Sequence, residues 1–245
     1  EAAHSALDLV AAAVTFWAVR IGGLPADPEH TYGHGKVENL SALFETGLLL
    51  ATCVWIVYES VERLFFHPAH VQPTPWAFAV MAVSIVIDVS RSRALARTAK
   101  KYGSQALEAD ALHFSTDVWS SAVVLGGLAL VVVSQKTGVA WLAQADAVAA
   151  LAVAAIVVVL SLQLGKKSID DLVDAVPEGL RERLVAAARV PGVVDVPRLR
   201  VRKTGPNAFV DVTIAAGRHL AFERAHDVAD AAEKALLELL PGADV

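Results

Sequence analysis

Five long apolar stretches follow one another along the first two thirds of the chain. They lie near residues 1–22, 39–65, 76–99, 105–134 and 145–165. About 20 largely apolar helical residues cross the roughly 30 Å hydrocarbon core of a bilayer, so each stretch is long enough to be a transmembrane helix. We therefore predict a transmembrane domain over residues 1–168.

The pattern changes in the remaining residues, 169–245. Apolar residues at helical spacing alternate there with β-branched runs that are typical of strands, and the sequence KTGPN at 203–207 is a strong turn signal. The predicted elements are a helix, two strands, a helix and the start of a third strand, at 180–190, 193–201, 209–214, 222–240 and 242–245. This order predicts a small α+β domain with helices on one face of a sheet whose last strand is truncated.

Composition agrees with a membrane protein. The 245 residues are 55% hydrophobic and 19% charged, whereas ordinary soluble domains have about 25% charged residues. The formal net charge of -5 provides no basic surface for nucleic acid, so we exclude nucleic-acid binding. Cys53 is the single cysteine and can form no intrachain disulfide.

The basic residues of the loops predict the orientation. Residues 91–101 contain five lysines and arginines, whereas the loops at 66–75 and 135–144 contain only Lys136. By the positive-inside rule the former segment is cytoplasmic, and counting spans places residues 23–37 and the C-terminal domain in the cytoplasm. The chain then starts on the outer side without a signal peptide, so we expect six spans in the complete protein, the first preceding this sequence.

Two identical pairs of ionisable residues lie within the predicted spans. His4 and Asp8 share one face of the first helix, and His113 and Asp117 repeat the same spacing in the fourth. Ionisable residues are costly in a span and usually face a partner, a cavity or a transport path. Two imidazoles and two carboxylates form a tetrahedral ligand set that suits zinc and is too nitrogen-rich for magnesium or calcium. The alternative is a local His–Asp ion pair in each helix.

A second candidate metal site lies in the first cytoplasmic loop. Asp27, His30 and His34 follow one another at spacings that allow their side chains to converge on one ion. Glu45 lies in a predicted span without an assigned role. For Asp88, also in a span, we expect pairing with a nearby arginine, with proton relay or metal delivery as the alternative.

The loop sequence YGHGKVEN at 32–39 resembles the first cytoplasmic loop of the cation diffusion facilitator family, bacterial type. The resemblance extends over the whole chain through the His4/Asp8 pair, ADALHFSTD at 109–117 and LVD at 172–174. It implies a homodimeric exporter of the inner membrane with six spans per protomer and a cytoplasmic ferredoxin-like domain. The family moves metal out in exchange for protons. Zinc is the implied substrate, and Mn²⁺, Fe²⁺, Co²⁺, Ni²⁺ and Cd²⁺ remain open.

The resemblance also implies roles for individual residues. The transport site falls on His4, Asp8, His113 and Asp117, and the loop site falls on Asp27, His30 and His34. A charge interlock between subunits would join Lys36 to Asp174, although Asp170 and Asp171 are close by in sequence.

The cytoplasmic domain departs from the family pattern. Pro197 and Thr213 stand where relatives have histidines, and the final strand, which bears further ligands, is absent. His226 matches a ligand position, and His219 nearby is a possible substitute. For both, a solvated surface histidine is the alternative. For His67 and His70, in an outer loop, we expect an interfacial role.

These observations predict a secondary transporter and not an enzyme. Metal binding requires neutral imidazoles and ionised carboxylates, so zinc and protons compete for the same four side chains. His4 and His113 are the expected proton carriers. The alternatives are a membrane metallohydrolase, which needs an open coordination position and a general base, and a sensor or scaffold that binds metal without transporting it.

Overall fold

The computed structural model describes residues 2–65, 75–137 and 145–245. His67 and His70 lie outside the described residues, as do nearly all of the loop at 66–75 and most of the loop at 135–144. The helical backbone is described at His4 and Asp8, but their side chains are not.

Five long helices make up most of the N-terminal part, and each overlaps one of the predicted spans. They are α1 (Ala2–Gly22), α2 (Lys36–Phe65), α3 (Pro75–Tyr102), α4 (Gln105–Thr137) and α5 (Ala145–Leu172). Proline at the first position of α3 costs no helical hydrogen bond. Gly103, with φ 66°, follows the end of α3, where a left-handed residue closes a helix. The Ser104 hydroxyl then accepts a hydrogen bond from the Leu107 amide at 3.4 Å and caps α4.

Two segments of the described chain are long and apolar enough to cross a membrane. They are Lys36–Glu62, with a mean hydropathy of 1.9, and Val148–Leu172, with 2.5, while Leu9–Gly22 is a shorter apolar segment. The number of spans stays a prediction.

One compact unit comprises Glu1–Val19 and Leu40–Ser168. Its described interior consists mostly of small and polar side chains, including Ala42, Thr46, Ala109, Ser161 and Ser168, together with a few larger apolar ones such as Leu49 and Phe114. Many other large apolar side chains are exposed, including Leu9, Trp17, Val54, Trp55 and Trp76. A soluble protein rarely exposes apolar surface on this scale, whereas close helix packing through small residues is typical of membrane bundles.

The second unit comprises Arg20–Asn39 and Ile169–Val245. Its elements after α5 are α6 (Leu180–Ala188), β1 (Val193–Thr204), β2 (Asn207–Ala216) and α7 (Phe222–Leu239). The two strands are antiparallel and remain in register from Arg198–Thr213 to Thr204–Asn207. Pro197 lies in the irregular part of β1, as expected for a residue that cannot donate to the ladder. The helices and the sheet share a core of seven residues, Leu184, Ala188, Val196, Leu199, Val201, Val210 and Leu236.

The third strand expected at 242–245 is a single parallel bridge between Phe209 and Asp244. The Val210 amide donates to the Asp244 carbonyl at 2.8 Å, and the Asp244 amide donates to the Ala208 carbonyl at 2.9 Å. The predicted order of helix, strand, strand, helix and incipient strand is therefore observed.

Candidate metal centres

Helix α4 presents His113 and Asp117 on one face. His113 Nε2 lies 3.6 Å from Asp117 Oδ2, and the two side chains are 7% and 20% exposed. The Phe114 ring packs edge-on against the His113 imidazole. An imidazole and a carboxylate are thus held close together inside a largely apolar unit. Because the side chains of His4 and Asp8 lie outside the described part of the chain, the four-ligand site stays a prediction.

Two buried acids lie among the described residues of the same unit. The Glu45 side chain is fully buried, and one of its oxygens accepts a hydrogen bond from the Thr15 hydroxyl of α1. Asp110, also buried, lies one turn before His113 on α4. Neither Thr15 nor Asp110 was predicted as a functional residue, although Asp110 is an additional acid in a predicted span, which is itself a signal of function.

Asp88 does not form the predicted ion pair with an arginine. The Ser84 hydroxyl donates to Asp88 Oδ2 at 3.2 Å, within the same turn of α3. The Arg91 guanidinium lies instead over the Phe114 ring, 4.0 Å from its centroid. The prediction was wrong because an aromatic ring on the neighbouring helix is an alternative partner for a guanidinium.

The structure brings Asp27, His30 and His34 together in the first loop. His30 Nδ1 lies 3.2 Å from Asp27 Oδ1, and His34 Nε2 lies 3.3 Å from Asp27 Oδ2. Ligand atoms of all three residues lie within 4.8 Å of one another. One carboxylate and two imidazoles suit a transition metal, and three protein ligands leave a fourth position for water or another group.

Backbone hydrogen bonds stabilise the ionised form of the Asp27 carboxylate, which is the form that binds a cation. The Glu29 and His30 amides donate to Asp27 Oδ1 at 2.9 and 2.6 Å. The His30 amide is the main cause that holds the pKa of Asp27 below its usual value. Desolvation opposes it, and the Glu29 amide and the His30 ring lower the pKa further. The Asp27 carboxylate is therefore ionised throughout the neutral range.

The loop is attached to the β1–β2 hairpin within the second unit. The Tyr32 ring packs edge-on against Phe209 at 5.3 Å, and the Arg202 guanidinium lies 3.5 Å from the Tyr32 ring centroid. The Gly205 amide donates to Asn39 Oδ1 at 3.3 Å. These contacts hold the loop at Tyr32, between the two histidines, and at Asn39, after His34.

Lys36 and Asp174 form an ion pair within one chain. Lys36 Nζ lies 2.9 Å from Asp174 Oδ1 and donates to the Leu172 carbonyl at 3.0 Å. Asp174 has φ 59°, in the left-handed region that aspartate and asparagine tolerate better than most residues. The role of this pair as an interlock between subunits stays a prediction.

We expect the Lys36–Asp174 pair to contribute little to stability. Its side chains are 36% and 44% exposed, and exposed pairs contribute about 0.2–1 kcal/mol. A double-mutant cycle of Lys36→Gln and Asp174→Asn, measured by denaturant unfolding, should give a coupling free energy in that range. Asparagine retains the left-handed backbone, so the cycle isolates the charge. A coupling above about 2 kcal/mol would show that the pair is desolvated in the assembled protein.

The two histidines of the C-terminal domain do not join a metal cluster among the described residues. His226 Nε2 lies 3.8 Å from Asp230 Oδ1 on α7, and both side chains are mostly exposed. His219 lies in the turn between β2 and α7. Among the described residues, three or more side chains that could bind one metal ion come together in the triad of the first loop.

Comparison with known families decides what kind of protein contains these sites. Residues 1–173 match the family described as the cation efflux transmembrane domain, and residues 176–245 match the cation efflux protein, cytoplasmic domain. The chain belongs to the cation efflux family. The resemblance to the cation diffusion facilitators is thereby confirmed. This cation efflux protein is an inner-membrane transporter with a cytoplasmic C-terminal domain, and not an enzyme.

Similar proteins include the cation-efflux pump FieF of three Salmonella strains: S. newport SL254, S. gallinarum 287/91 and S. typhimurium LT2. Each is 29% identical to this cation efflux protein over 250 residues, which cover 98% of the chain and 78% of the relative. The similarity therefore spans both domains.

Proposed function

We propose that this transporter exports divalent transition-metal ions, with zinc as its main substrate, through a site formed by His4, Asp8, His113 and Asp117. The observation that carries the proposal is the pair of the buried His113 and the partly exposed Asp117, 3.6 Å apart. The same residue types recur four positions apart on α1. A helix places such residues on one face, so α1 and α4 each supply an imidazole and a carboxylate.

The chemistry of the ligands favours zinc. Zinc takes four nitrogen, oxygen or sulfur ligands in a tetrahedron, and two imidazoles with two carboxylates satisfy it. Mn²⁺, Fe²⁺, Co²⁺, Ni²⁺ and Cd²⁺ bind similar ligands, and affinity order alone does not exclude them. Competition between these ions and zinc in a flux assay tests the preference.

Exchange for protons follows from the ligand types. Zinc binds neutral imidazole and ionised carboxylate, so each bound ion displaces protons from the site. We propose that cytoplasmic zinc displaces them, that the helices rearrange, and that protons from outside then displace the zinc. His4 and His113 carry the protons, because imidazole titrates near neutral pH.

The first-loop triad is proposed as a secondary site on the cytoplasmic side. The side chains of Asp27 and His30 are about half exposed, and that of His34 is 13% exposed. An ion therefore reaches the triad directly from water. Because the loop belongs to the same compact unit as the C-terminal domain, an ion bound there also stabilises the position of the loop on the hairpin. We further propose that the protein works as a homodimer, with Lys36 and Asp174 as its charge interlock.

Zinc binding at the loop should depend on His34. His34→Ala should remove one bound zinc per chain or weaken that site by at least about 10-fold, as measured by isothermal titration calorimetry. Glu29→Gln is the matched control, because Glu29 contributes its backbone amide to the loop while its side chain is outside the triad. Equal losses in both variants would contradict a metal site at these three residues.

The stability of the loop should depend on the charge of Asp27. The pKa of Asp27 is lowered in the folded state. Its ionised form therefore stabilises the fold above the unfolded-state pKa, and this stabilisation is lost as pH falls through the lower folded-state pKa. The midpoint of thermal unfolding should accordingly fall less on acidification in the Asp27→Asn variant than in the unmodified protein. Identical pH profiles of the two proteins would contradict this role of Asp27.

The alternative of a sensor or scaffold without transport is excluded by membership of the cation efflux family. Reconstituted vesicles test zinc as the substrate, because transport produces a time-dependent accumulation of zinc in the vesicle lumen. Vesicles containing the intact protein should accumulate zinc, and empty vesicles should not.

A further inference from the structure

A groove of about 830 Å³ opens between α3, α4 and α5. Its inner walls are mostly small and aliphatic side chains, including Ala96, Leu112 and Leu160. At one end it contains Lys100, Glu108 and Lys167. The groove therefore has an apolar body and a charged mouth.

The groove is separate from the proposed transport site. The residues of α4 that line it are Glu108, Ala111, Leu112 and Ser115. Successive helical residues are rotated by about 100°, which places the centre of this set on the side of α4 opposite to His113 and Asp117. An ion at the transport site and an occupant of the groove would therefore contact different faces of α4.

The charged mouth lies at the cytoplasmic surface of the membrane. Helix α5 ends at Leu172, and the cytoplasmic domain begins at residue 176, so Lys167 is about one and a half turns from the cytoplasm. Tyr102 at the end of α3 is exposed, and Lys101 lies over its ring. Aromatic and basic residues of this kind are typical of the headgroup region.

We propose that this groove binds an anionic phospholipid. The lipid phosphate would lie between the ammonium groups of Lys100 and Lys167, and an acyl chain would extend along Ala96, Leu112 and Leu160. Lys167 Nζ is 2.6 Å from Glu108 Oε2, and both side chains are about half exposed. An exposed pair of this kind is weak, and an ammonium has three donors, so Lys167 can contact the phosphate while it remains beside Glu108. Basic residues at the cytoplasmic ends of membrane helices attract anionic lipids for the same reason.

The first test measures thermal unfolding of the delipidated full-length protein in detergent. Adding phosphatidylglycerol should raise the unfolding midpoint by about 3 °C or more, and phosphatidylcholine should raise it by less than about a third as much. In the double variant Lys100→Gln, Lys167→Gln, phosphatidylglycerol should no longer raise the unfolding midpoint. The matched control Lys101→Gln, Lys166→Gln removes two charges from the same helix ends, at residues that do not line the groove. This control should retain the increase in unfolding midpoint with phosphatidylglycerol.

A second pair of variants tests the apolar body. Ala96→Trp fills the groove and should abolish co-purification of phosphatidylglycerol, measured by mass spectrometry of the extracted lipid. Ala94→Trp adds the same side chain at an exposed position of α3 outside the groove, and should leave co-purification unchanged.

Three results of the lipid measurements would overturn the proposal. They are equal shifts with the two lipids, an undiminished phosphatidylglycerol shift in the Lys100→Gln, Lys167→Gln variant, and equal lipid retention in the two tryptophan variants. Inorganic phosphate should give no shift, because it lacks the acyl chain. A full shift with phosphate alone would show a simple anion site and would also contradict a lipid site.

Discussion

Asp117→Asn should lower zinc flux into reconstituted vesicles by at least about 100-fold, because removing even an outer partner of a metal ligand costs about 10–100-fold. Asparagine retains the size of the side chain, but it lacks the charge that balances zinc. The Asp117 carboxylate lies beside His113, so the variant alters the electrostatics of the proposed site while the packing of α4 is retained. Initial rates of zinc accumulation, measured with a trapped fluorescent indicator, give the result.

Asp88→Asn is the matched control for this experiment. Asp88 is another aspartate of a predicted span, but it accepts a hydrogen bond from Ser84 of its own helix and has no part in the proposed site. Zinc flux in the Asp88→Asn variant should remain within about twofold of the flux in the unmodified protein, since isolated polar changes away from a site have small effects. Equal losses in the two variants would indicate a general effect of removing an acid from the membrane domain and would contradict the role of Asp117.

Gly35→Val should detach the first cytoplasmic loop, the proposed secondary metal site, from the β1–β2 hairpin. A Cβ atom at Gly35 would overlap the Thr204 carbonyl, and it would lie 3.0 Å from the Gly205 nitrogen. Gly205 has φ 59°, and a Cβ there would lie 2.8 Å from the Gly35 carbonyl oxygen. Overpacking of this kind costs about 1–3 kcal/mol. We expect a lower midpoint of thermal unfolding and faster proteolysis between residues 23 and 35.

Gly47→Ala provides the control for the glycine substitution. A Cβ at Gly47 of α2 meets no atom within 4 Å, so this variant should unfold and resist protease as the unmodified protein does. If Gly35→Val behaved in the same way, the close approach of the loop to the hairpin would not contribute to stability.

Much of the fold follows from local patterns in the sequence. The apolar stretches predict all five long helices, because a helix satisfies its own backbone in an apolar environment. The β-branched runs predict both strands, although β1 continues to Thr204 and β2 begins at Asn207, beyond the predicted ends. The difference arises at the turn, where Gly205 adopts a positive φ and allows the ladder to continue to the last pair before the reversal.

The candidate sites were predictable where their residues are close in sequence. The spacing of His113 and Asp117 places them on one helical face, and Asp27, His30 and His34 lie in one short loop. Contacts between distant segments were not predictable from local patterns, and the pairing of Lys36 with Asp174 was expected only through the family resemblance. The hydrogen bond of Thr15 to Glu45 joins two helices, and that of Gly205 to Asn39 joins residues 166 positions apart. Neither hydrogen bond produces a periodic pattern in the sequence, because each depends on how separate elements pack.

Simultaneous measurement of zinc and proton movement in one vesicle preparation tests the central claim most directly. Vesicles containing the protein are loaded with a zinc indicator and a pH indicator, and zinc is added outside under an acidic-inside gradient. We predict that zinc entry and proton exit rise together, and that both are lost in the His113→Ala variant. Zinc entry without proton exit, or coupled fluxes that persist in His113→Ala, would contradict cation efflux by proton exchange at this site.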